Sequence, residues 1–337
     1  MDLKKTFIIA EIAQAHDGSL GILHSYIDSL ANTGVDAIKF QTHIAEAESS
    51  YAEPFRINFS YEDKSRFDYW KRVSFTEEQW IGIKEHCDRV GVEFMSSPFS
   101  IAAVNLLEKI GVKKYKIGSG EVSNLLLLER IAKTGKPIIL SSGMSSYFEL
   151  SNALELIKIY GNETVILQCT TSYPTPPERI GLNVLEELKK RFNTPVGLSD
   201  HSGSIYPSVA AVALGAEYLE FHAVFDKRMF GPDSSSSLTI DQISELVKAV
   251  RLIETAINNP LDKNNLEPYT DLKVIFGKAL AVNKNLKKGH ILTLDDLETK
   301  KPGNMGISAA EYASVVNRVL LNSKKKYDFL LQEDIQH

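Results

Sequence analysis

Eight short apolar segments, each followed by a longer segment of helical character, constrain the fold of this chain more than any other feature. The apolar segments occupy residues 7–13, 36–41, 93–98, 114–120, 137–143, 165–170, 195–201 and 218–225. They are apolar at consecutive positions and rich in Val, Ile and Phe, which is typical of strands buried on both faces of a parallel sheet. Most of the intervening segments end in a glycine suited to a helix C-terminus.

Eight such strand–helix units predict an α/β fold of the (β/α)8 type, a TIM barrel, over residues 1–257. A doubly wound open sheet is the alternative. An open sheet would need no eighth closing unit, and no G-x-G-x-x-G sequence follows the first strand.

Two further parts follow the predicted barrel. Residues 258–275 are polar and contain two prolines, which indicates a linker. Residues 276–337 predict a compact domain of about 60 residues, a size that is small for independent stability. Within the barrel, residues 44–75 predict an irregular connection rich in Tyr, Phe and Arg. A connection of that length is usually functional, and this one lies on the face where barrel active sites form.

Composition excludes several classes of function. The net charge is −5, and no dense Lys/Arg segment alternates with aromatic residues, so nucleic acid is not an expected partner. No apolar run approaches the roughly 20 residues of a membrane span. The apolar stretch near the N-terminus meets Glu11 too early for a signal peptide. Cys87 falls in a helical pattern and Cys169 in a strand, so we expect no disulfide framework and a cytoplasmic location.

Polar residues gather at the C-terminal ends of all eight predicted strands, where the side chains of a TIM barrel point into the active site. In strand order they are Glu11, Gln14 and His16; Lys39 and Gln41; Ser96 and Ser97; Lys116, Ser119 and Glu121; Ser141 and Ser142; Thr170, Thr171 and Tyr173; Ser199, Asp200 and His201; and Glu220, His222, Asp226 and Asp233. Lysines with hydroxyls favour an anion pocket. Two histidines on neighbouring strands favour a divalent metal, and carboxylates can handle protons or sugar hydroxyls.

Each of these residues also has a simpler explanation. A histidine in a strand is often a hydrogen-bonded core residue, and the pattern alone leaves metal binding and core packing both open for His201 and His222. Lys39 and Lys116 are compatible with structural ion pairs or with Schiff-base chemistry. Serines at strand ends can cap the next helix. The cluster is more informative than any member, and it predicts a metal-assisted reaction on a small, multiply charged substrate.

The motifs EIAQAHDGS, DAIKFQT, SSPFS, YKIGSGE, PIILSSGM, CTTSYPTP, VGLSDHSG, ALGAEYLEFH and GPDSSSSL occur in this order. Together they resemble the sialic acid synthase (N-acetylneuraminate synthase) family. The segment KKGHILTLDDLETKKPGNMGIS resembles the antifreeze-like (SAF) domain attached to those enzymes. The resemblance covers essentially the whole chain.

The resemblance implies an enzyme that condenses phosphoenolpyruvate with an N-acetylated amino sugar, foremost N-acetylmannosamine, and water to give N-acetylneuraminate and phosphate. It implies a metal, Mn²⁺ with Mg²⁺ or Co²⁺ as alternatives, on His201 and His222. The implied catalytic residues are Glu11, Glu121 and His222. The implied phosphoenolpyruvate ligands are Lys39, Ser97, Lys116, Ser119, Ser141 and Ser199, and the implied sugar ligands are Gln41, Tyr173, Asp233 and Lys301. It also implies a domain-swapped homodimer whose small domain covers the partner's barrel rim.

Two positions depart from the family pattern. Ser97 stands where many relatives have threonine, a change that keeps the hydroxyl. Lys301 stands where the family usually has an arginine that reaches the acyl group of the sugar, and lysine lacks the planar donor fork of a guanidinium. The loop 44–75, with Arg56, Asn58 and Tyr61, is the candidate for compensation.

Three other functions compete with this expectation. A synthase of the legionaminate type would use a diacetamido sugar in the same site. A Schiff-base aldolase on the same fold would need no metal. A carbohydrate-binding protein would act through the small domain, but that function leaves the polar groups at all eight strand ends unexplained.

Overall fold

A closed parallel barrel forms the first part of the chain in the computed structural model, which describes residues 5–57 and 59–336. Its strands are β1 Phe7–Glu11, β2 Ala37–Thr42, β3 Glu93–Pro98, β4 Tyr115–Ile117, β5 Ile138–Ser141, β6 Thr164–Cys169, β7 Val196–Asp200 and β8 Tyr218–Val224. Each strand pairs in parallel with the next, and β8 pairs with β1 from Phe7–Tyr218 to Glu11–His222. The predicted TIM barrel is therefore confirmed, and the open sheet is excluded. A two-residue strand, β9 Leu238–Thr239, pairs with the end of β8.

Helices separate the strands. They are α1 Leu20–Ala31, α2 Ala45–Glu48, α3 Arg66–Val73, α4 Glu77–Val90, α5 Ile101–Ile110, α6 Leu125–Ala132, α7 Tyr147–Ile159, α8 Asn183–Phe192, α9 Tyr206–Ala213 and α10 Ile240–Asn258. Side chains cap several N-termini; Thr76, Ser146 and Thr239 each form a capping box with the third helical residue. Gly91 and Gly111 end α4 and α5 in the left-handed conformation, as the glycine pattern predicts.

The strands carry two apolar layers because successive side chains point to opposite faces. One layer packs against the helices and includes Ile8, Ala10, Ile38 and Phe40. The other fills the barrel interior and consists of Ile9, Ala37, Met95, Ile139, Val165 and Leu167, with Phe7 and Tyr218 partly buried beside it. This interior layer fills the barrel below the C-terminal ends of the strands. Any site at those ends therefore lies above an apolar, filled interior.

The segment 44–75 is not the irregular connection that its sequence predicts. It contains α2 and α3, and Ser65 caps α3 by accepting a hydrogen bond from the amide of Asp68. It also has a small apolar cluster of its own: Ala45, Tyr69, Trp70 and Val73, with Phe55, Phe59 and Phe67 against them. The many aromatic residues that made the segment look like a loop are the core of this substructure. Asn58 lies outside the described residues.

The second part of the chain is a separate compact unit that begins at Pro260, after the first unit ends at Asn259. Its helix α11 Thr270–Phe276 lies in and just beyond the segment predicted as a linker, 258–275, and has no buried residue. The strands β10 Ala279–Val282 and β11 Leu297–Lys300 pair antiparallel, and α12 Tyr312–Val315 follows. Its apolar core comprises Leu280, Val282, Leu286, Leu292, Ile307, Val315, Leu320, Leu330 and Ile335.

Both cysteines are buried and free, Cys87 in α4 and Cys169 in β6, as their sequence contexts predict. Within residues 5–57 and 59–336, no helix combines the length and the apolar character that crossing a bilayer requires.

Candidate active site

The period-two alternation of the strands carries polar residues from the apolar interior to the rim. Glu11 lies two positions beyond Ile9 on β1, and Lys39 lies two positions beyond Ala37 on β2. The same step leads to Ser97, Ser141 and Cys169 on β3, β5 and β6. His222 lies four positions beyond Tyr218 on β8, and His201 directly follows the end of β7. Since every second side chain shares a face, these polar groups converge above the interior layer.

They line one cavity of about 400 Å³ at the rim. Its walls include every residue predicted for the site except Lys301: Glu11, Lys39, Gln41, Ser97, Lys116, Ser119, Glu121, Ser141, Tyr173, Ser199, His201, His222 and Asp233. Asp226, which the sequence also placed at the end of β8, does not line it and forms an ion pair with Arg228 instead. Of the other polar residues predicted at the strand ends, Gln14, Thr171 and Glu220 line the cavity, whereas His16, Ser96, Ser142, Thr170 and Asp200 do not.

Four buried charges form the base of the cavity. Lys39 Nζ lies 2.9 Å from Glu11 Oε1 and 3.3 Å from Glu220 Oε1. Lys116 Nζ lies 3.3 Å from the same Glu220 oxygen and donates to Ser141 Oγ at 2.8 Å. Ser199 donates to Glu220 at 3.0 Å. Glu220 therefore joins both lysines and a serine in one network.

Burial and charge act against each other in this network. Burial alone would raise the pKa of Glu11, but Lys39, His222 and Lys116 outweigh it and hold the pKa below its ordinary value. Burial would lower the pKa of Lys39, yet Glu11 and Glu220 raise it. For Lys116 burial prevails over Glu220, and its pKa is lowered. The glutamates are ionised, so the site holds anions and cations together.

Three polar atoms of the site lack a hydrogen-bond partner among the described residues although they are buried. They are Ser97 Oγ, Glu220 Oε2 and His222 Nδ1. Leaving a buried polar atom unpaired costs free energy, so such atoms indicate where a ligand completes the structure. Ser97 adds a free hydroxyl beside the lysines, and His222 adds a free ring nitrogen.

The two histidines lie side by side, with ring centroids 5.2 Å apart. His201 Nδ1 donates to the carbonyl of Thr170 at 3.2 Å, which leaves Nε2 as the nitrogen with a lone pair. Burial, followed by the charge of His222, lowers the pKa of His201 to about 4, so its ring is neutral near pH 7. His222 Nε2 lies 3.3 Å from Glu11 Oε2. No group of three or more His, Cys, Asp or Glu in metal-binding arrangement occurs in the described part of the chain.

Gln41 and Tyr173 form the upper walls. Gln41 donates to Glu11 Oε1 at 2.7 Å and contacts His43 Nε2 at 3.1 Å. Tyr173 packs on His201, with ring centroids 4.3 Å apart, and burial raises its pKa. Glu121 lies after β4 in a short 3₁₀ turn and accepts from Asn124 at 2.7 Å, and burial raises its pKa.

Several residues of the cavity wall were not assigned from the sequence, among them Glu220, His43 and Glu48. Glu220 was recognised at the end of β8 but given no role, although it shares its face with His222. His43 continues the alternation of Lys39 and Gln41, and it stacks between Trp70 at 3.7 Å and Phe99 at 4.3 Å. Glu48 hydrogen-bonds to His43 Nδ1. His43 could have been predicted by extending the alternation of Lys39 and Gln41 one step beyond β2. Glu48 lies in helix α2, and no sequence pattern indicates that it lines the cavity.

Lys301 belongs to the second unit. Its ammonium lies 5.0 Å from the centroid of the Phe276 ring, within that unit. Lys301 is joined to Pro302 by a cis peptide bond.

The chain, with its parallel barrel and small C-terminal domain, belongs to the NeuB family. It matches that family over residues 26–261 and the SAF domain over residues 277–336. The predicted resemblance to sialic acid synthases with a SAF domain is confirmed.

Several known proteins are similar to the chain along most of its length. The N,N'-diacetyllegionaminic acid synthase of Campylobacter jejuni subsp. jejuni serotype O:2 is 34% identical, covering 98% of this chain and 100% of the relative. The human N-acetylneuraminate-9-phosphate synthase is 33% identical, covering 97% and 92%. The crystal structure of the N-acetylneuraminic acid (sialic acid) synthetase of Leptospira borgpetersenii serovar Hardjo-bovis in complex with citrate superposes with a TM-score of 0.71 at 29% identity, covering 80% of this chain and 91% of that one.

Proposed function

We propose that the protein is a metal-dependent synthase that joins phosphoenolpyruvate to an N-acylated amino sugar and releases phosphate, giving a nonulosonic acid. The observation that carries the proposal is the buried network of Lys39, Lys116 and Glu220 beneath two histidines in one cavity. An anion pocket and a pair of metal ligands in one cavity suit a reaction between an anionic donor and a carbonyl acceptor.

Phosphoenolpyruvate is assigned to the base of the cavity. Lys39 and Lys116 supply charge, and the hydroxyls of Ser97, Ser119, Ser141 and Ser199 supply neutral donors. The unpartnered Ser97 hydroxyl supports this assignment. Donors fixed in place stabilise the leaving phosphate without reorganising as charge develops.

His201 and His222 are assigned to a divalent metal, Mn²⁺ by preference and Mg²⁺ or Co²⁺ as alternatives. The residues fit such an ion, because His201 is held as a neutral ring with a free Nε2 and His222 has an unpartnered Nδ1. A metal bound there would polarise the sugar aldehyde as a Lewis acid.

The residues around the pair orient the reactants. Carbon 3 of phosphoenolpyruvate forms a bond to the aldehyde carbon, and water adds to carbon 2. One proton of that water ends on the former aldehyde oxygen, and the other leaves with phosphate when the C–O bond breaks and carbon 2 becomes a ketone. Glu11 is ionised, contacts His222 and Gln41, and orients the acceptor sugar. Glu121, whose pKa burial raises, is the group we assign to accept the proton of the water.

The acceptor sugar is assigned to the wall formed by Gln41, Tyr173 and Asp233. N-acetylmannosamine is the preferred acceptor, and a diacetamido sugar, giving a legionaminate-type acid, is the alternative. The names of the similar enzymes cover both products. Phosphate release from phosphoenolpyruvate, measured over a panel of amino sugars, tests the function. Release that does not depend on any amino sugar would refute it.

A Schiff-base aldolase remains the second candidate because burial lowers the pKa of Lys116. Borohydride reduction in the presence of substrate separates the two mechanisms. A trapped lysine adduct supports the aldolase, whereas loss of turnover on chelation supports the metal-dependent synthase.

We also propose that the protein acts as a domain-swapped homodimer, in which Lys300 to Ile307 of one chain cover the rim of the partner. The resemblance to the synthase family supports this arrangement. So does α11, which exposes Leu272, Ile275 and Phe276 to solvent in the single chain. Lys301 would then face the acyl group of the sugar in the partner's site.

A further inference from the structure

Arg56 connects two residues of the sugar wall to the segment 44–75. Its Nη2 atom donates to Asp233 Oδ1 at 2.5 Å and to the carbonyl of Pro232 at 3.2 Å. Its guanidinium carbon lies 4.0 Å from the centroid of the Tyr173 ring. An arginine that is both stacked and ion-paired is held in one orientation.

This contact extends to the centre of the cavity. The Tyr173 ring, which contacts Arg56, also packs on His201 and meets His222 edge-on, with the centroids of the Tyr173 and His222 rings 6.1 Å apart. Arg56, Tyr173 and the histidine pair thus form a continuous series of contacts along the cavity wall. A group bound at the mouth by Arg56 would therefore lie in line with the aldehyde at the histidines.

Arg56 retains donors for a ligand. A guanidinium carries five N–H groups, and among the described residues only Nη2 of Arg56 has hydrogen-bond partners. The side chain is 39% exposed and lines the cavity, which leaves its remaining N–H groups available for a ligand.

The two arginines that line the cavity near its mouth each lie beside a carboxylate. Arg56 pairs with Asp233, and Arg66 Nε lies 3.5 Å from Glu53 Oε1. Glu48 and Glu121 line the same cavity as further carboxylates. A phosphate group on the ligand would be repelled by these carboxylates, because the arginines are already paired with carboxylates. A neutral amide or hydroxyl could accept hydrogen bonds from the arginine without that repulsion.

We propose that Arg56 is a specificity-determining residue of the acceptor site and selects neutral N-acylamino sugars by donating to the acyl carbonyl. The inference rests on the proposed function.

The test compares three variants for sugar binding and for turnover. Arg56→Ala removes the donors, Arg56→Lys keeps the positive charge without the planar fork, and Lys64→Ala removes a cation of the same segment that does not line the cavity. Binding of N-acetylmannosamine and of its 6-phosphate is measured by calorimetry, and KM values for sugar and phosphoenolpyruvate are measured by phosphate release.

We expect Arg56→Ala to weaken binding of the neutral sugar roughly 10- to 100-fold and to raise its KM similarly, with the KM for phosphoenolpyruvate unchanged. Arg56→Lys should recover little of the loss, and Lys64→Ala should match the wild type. Unchanged sugar affinity in Arg56→Ala, tighter binding of the 6-phosphate by the wild type, or no sugar binding at all would overturn the inference. A wild type that binds the sugar through Arg56 but releases no phosphate would refute the proposed synthase activity alone.

Discussion

Replacing Glu220 with glutamine removes a carboxylate that contacts both buried lysines of the site. Its Oε1 lies 3.3 Å from Lys39 Nζ and 3.3 Å from Lys116 Nζ. All three side chains are at most 3% exposed. Glutamine has nearly the same shape, so the change removes charge and leaves the packing in place. Lys116 then loses its ion-pair partner, while Lys39 keeps Glu11.

The expected loss of stability follows from this burial. Breaking a buried ion pair by changing one partner costs about 3–5 kcal/mol, because the other charge stays in the interior uncompensated. One kcal/mol shifts the Tm of a domain of this size class by about 2–4 °C. We therefore expect the Tm of Glu220→Gln to fall by roughly 6–20 °C.

An added anion should reverse much of the loss. Inorganic phosphate or phosphoenolpyruvate brings negative charge to the same lysines and stabilises the folded state by binding it. Calorimetric Tm values with and without each anion are the assay, and the rise in Tm should be larger for Glu220→Gln than for the wild type. Glu254→Gln is the matched control, since it breaks a pair with Arg251 outside the cavity. An unchanged Tm, or anion shifts equal to those of the wild type, would refute the reasoning.

Three further predictions address the remaining assignments. His201→Ala and His222→Ala should each abolish metal binding and turnover while circular dichroism shows an intact barrel; near-full activity after chelation in either variant would contradict the metal assignment. Lys116→Met should lower kcat/KM for phosphoenolpyruvate roughly 10²- to 10³-fold, by analogy with removal of an oxyanion donor, and unchanged kinetics would remove Lys116 from the site. Mixing inactive His222→Ala with inactive Lys301→Glu/Asn304→Ala should restore activity, because each hybrid dimer would contain one site with both parts intact; no recovery despite proven subunit exchange would argue against the swapped dimer.

The barrel was predictable because its signals are local. Each strand is a short run of consecutive apolar residues, and eight such runs admit few arrangements. The extent of several strands is overestimated from the sequence, most of all that of the fourth: residues 114–120 contain β4 only at Tyr115–Ile117, because the chain turns at Gly118 into a 3₁₀ helix. That turn is what places Ser119 and Glu121 at the cavity.

The strand-borne half of the site was predictable for the same reason. Once the strands are aligned, the alternation of side chains brings Lys39 and His222 to one rim without knowledge of any long-range contact. Arg56 is different, because it reaches Asp233 across 177 positions of sequence from a segment with no strand periodicity.

The separate apolar cluster around Tyr69 and Trp70 has a consequence for how such enzymes diversify. Of the residues that we propose for the acceptor site, Arg56 alone comes from this segment, which has its own packing, whereas Gln41 and the two lysines proposed for the donor are built into the strands. Substitutions in the segment 44–75 therefore leave the barrel's interior layer untouched. On the proposed function, the contribution of Arg56 to acceptor choice can therefore change by substitution within this segment while the lysines on the strands stay the same.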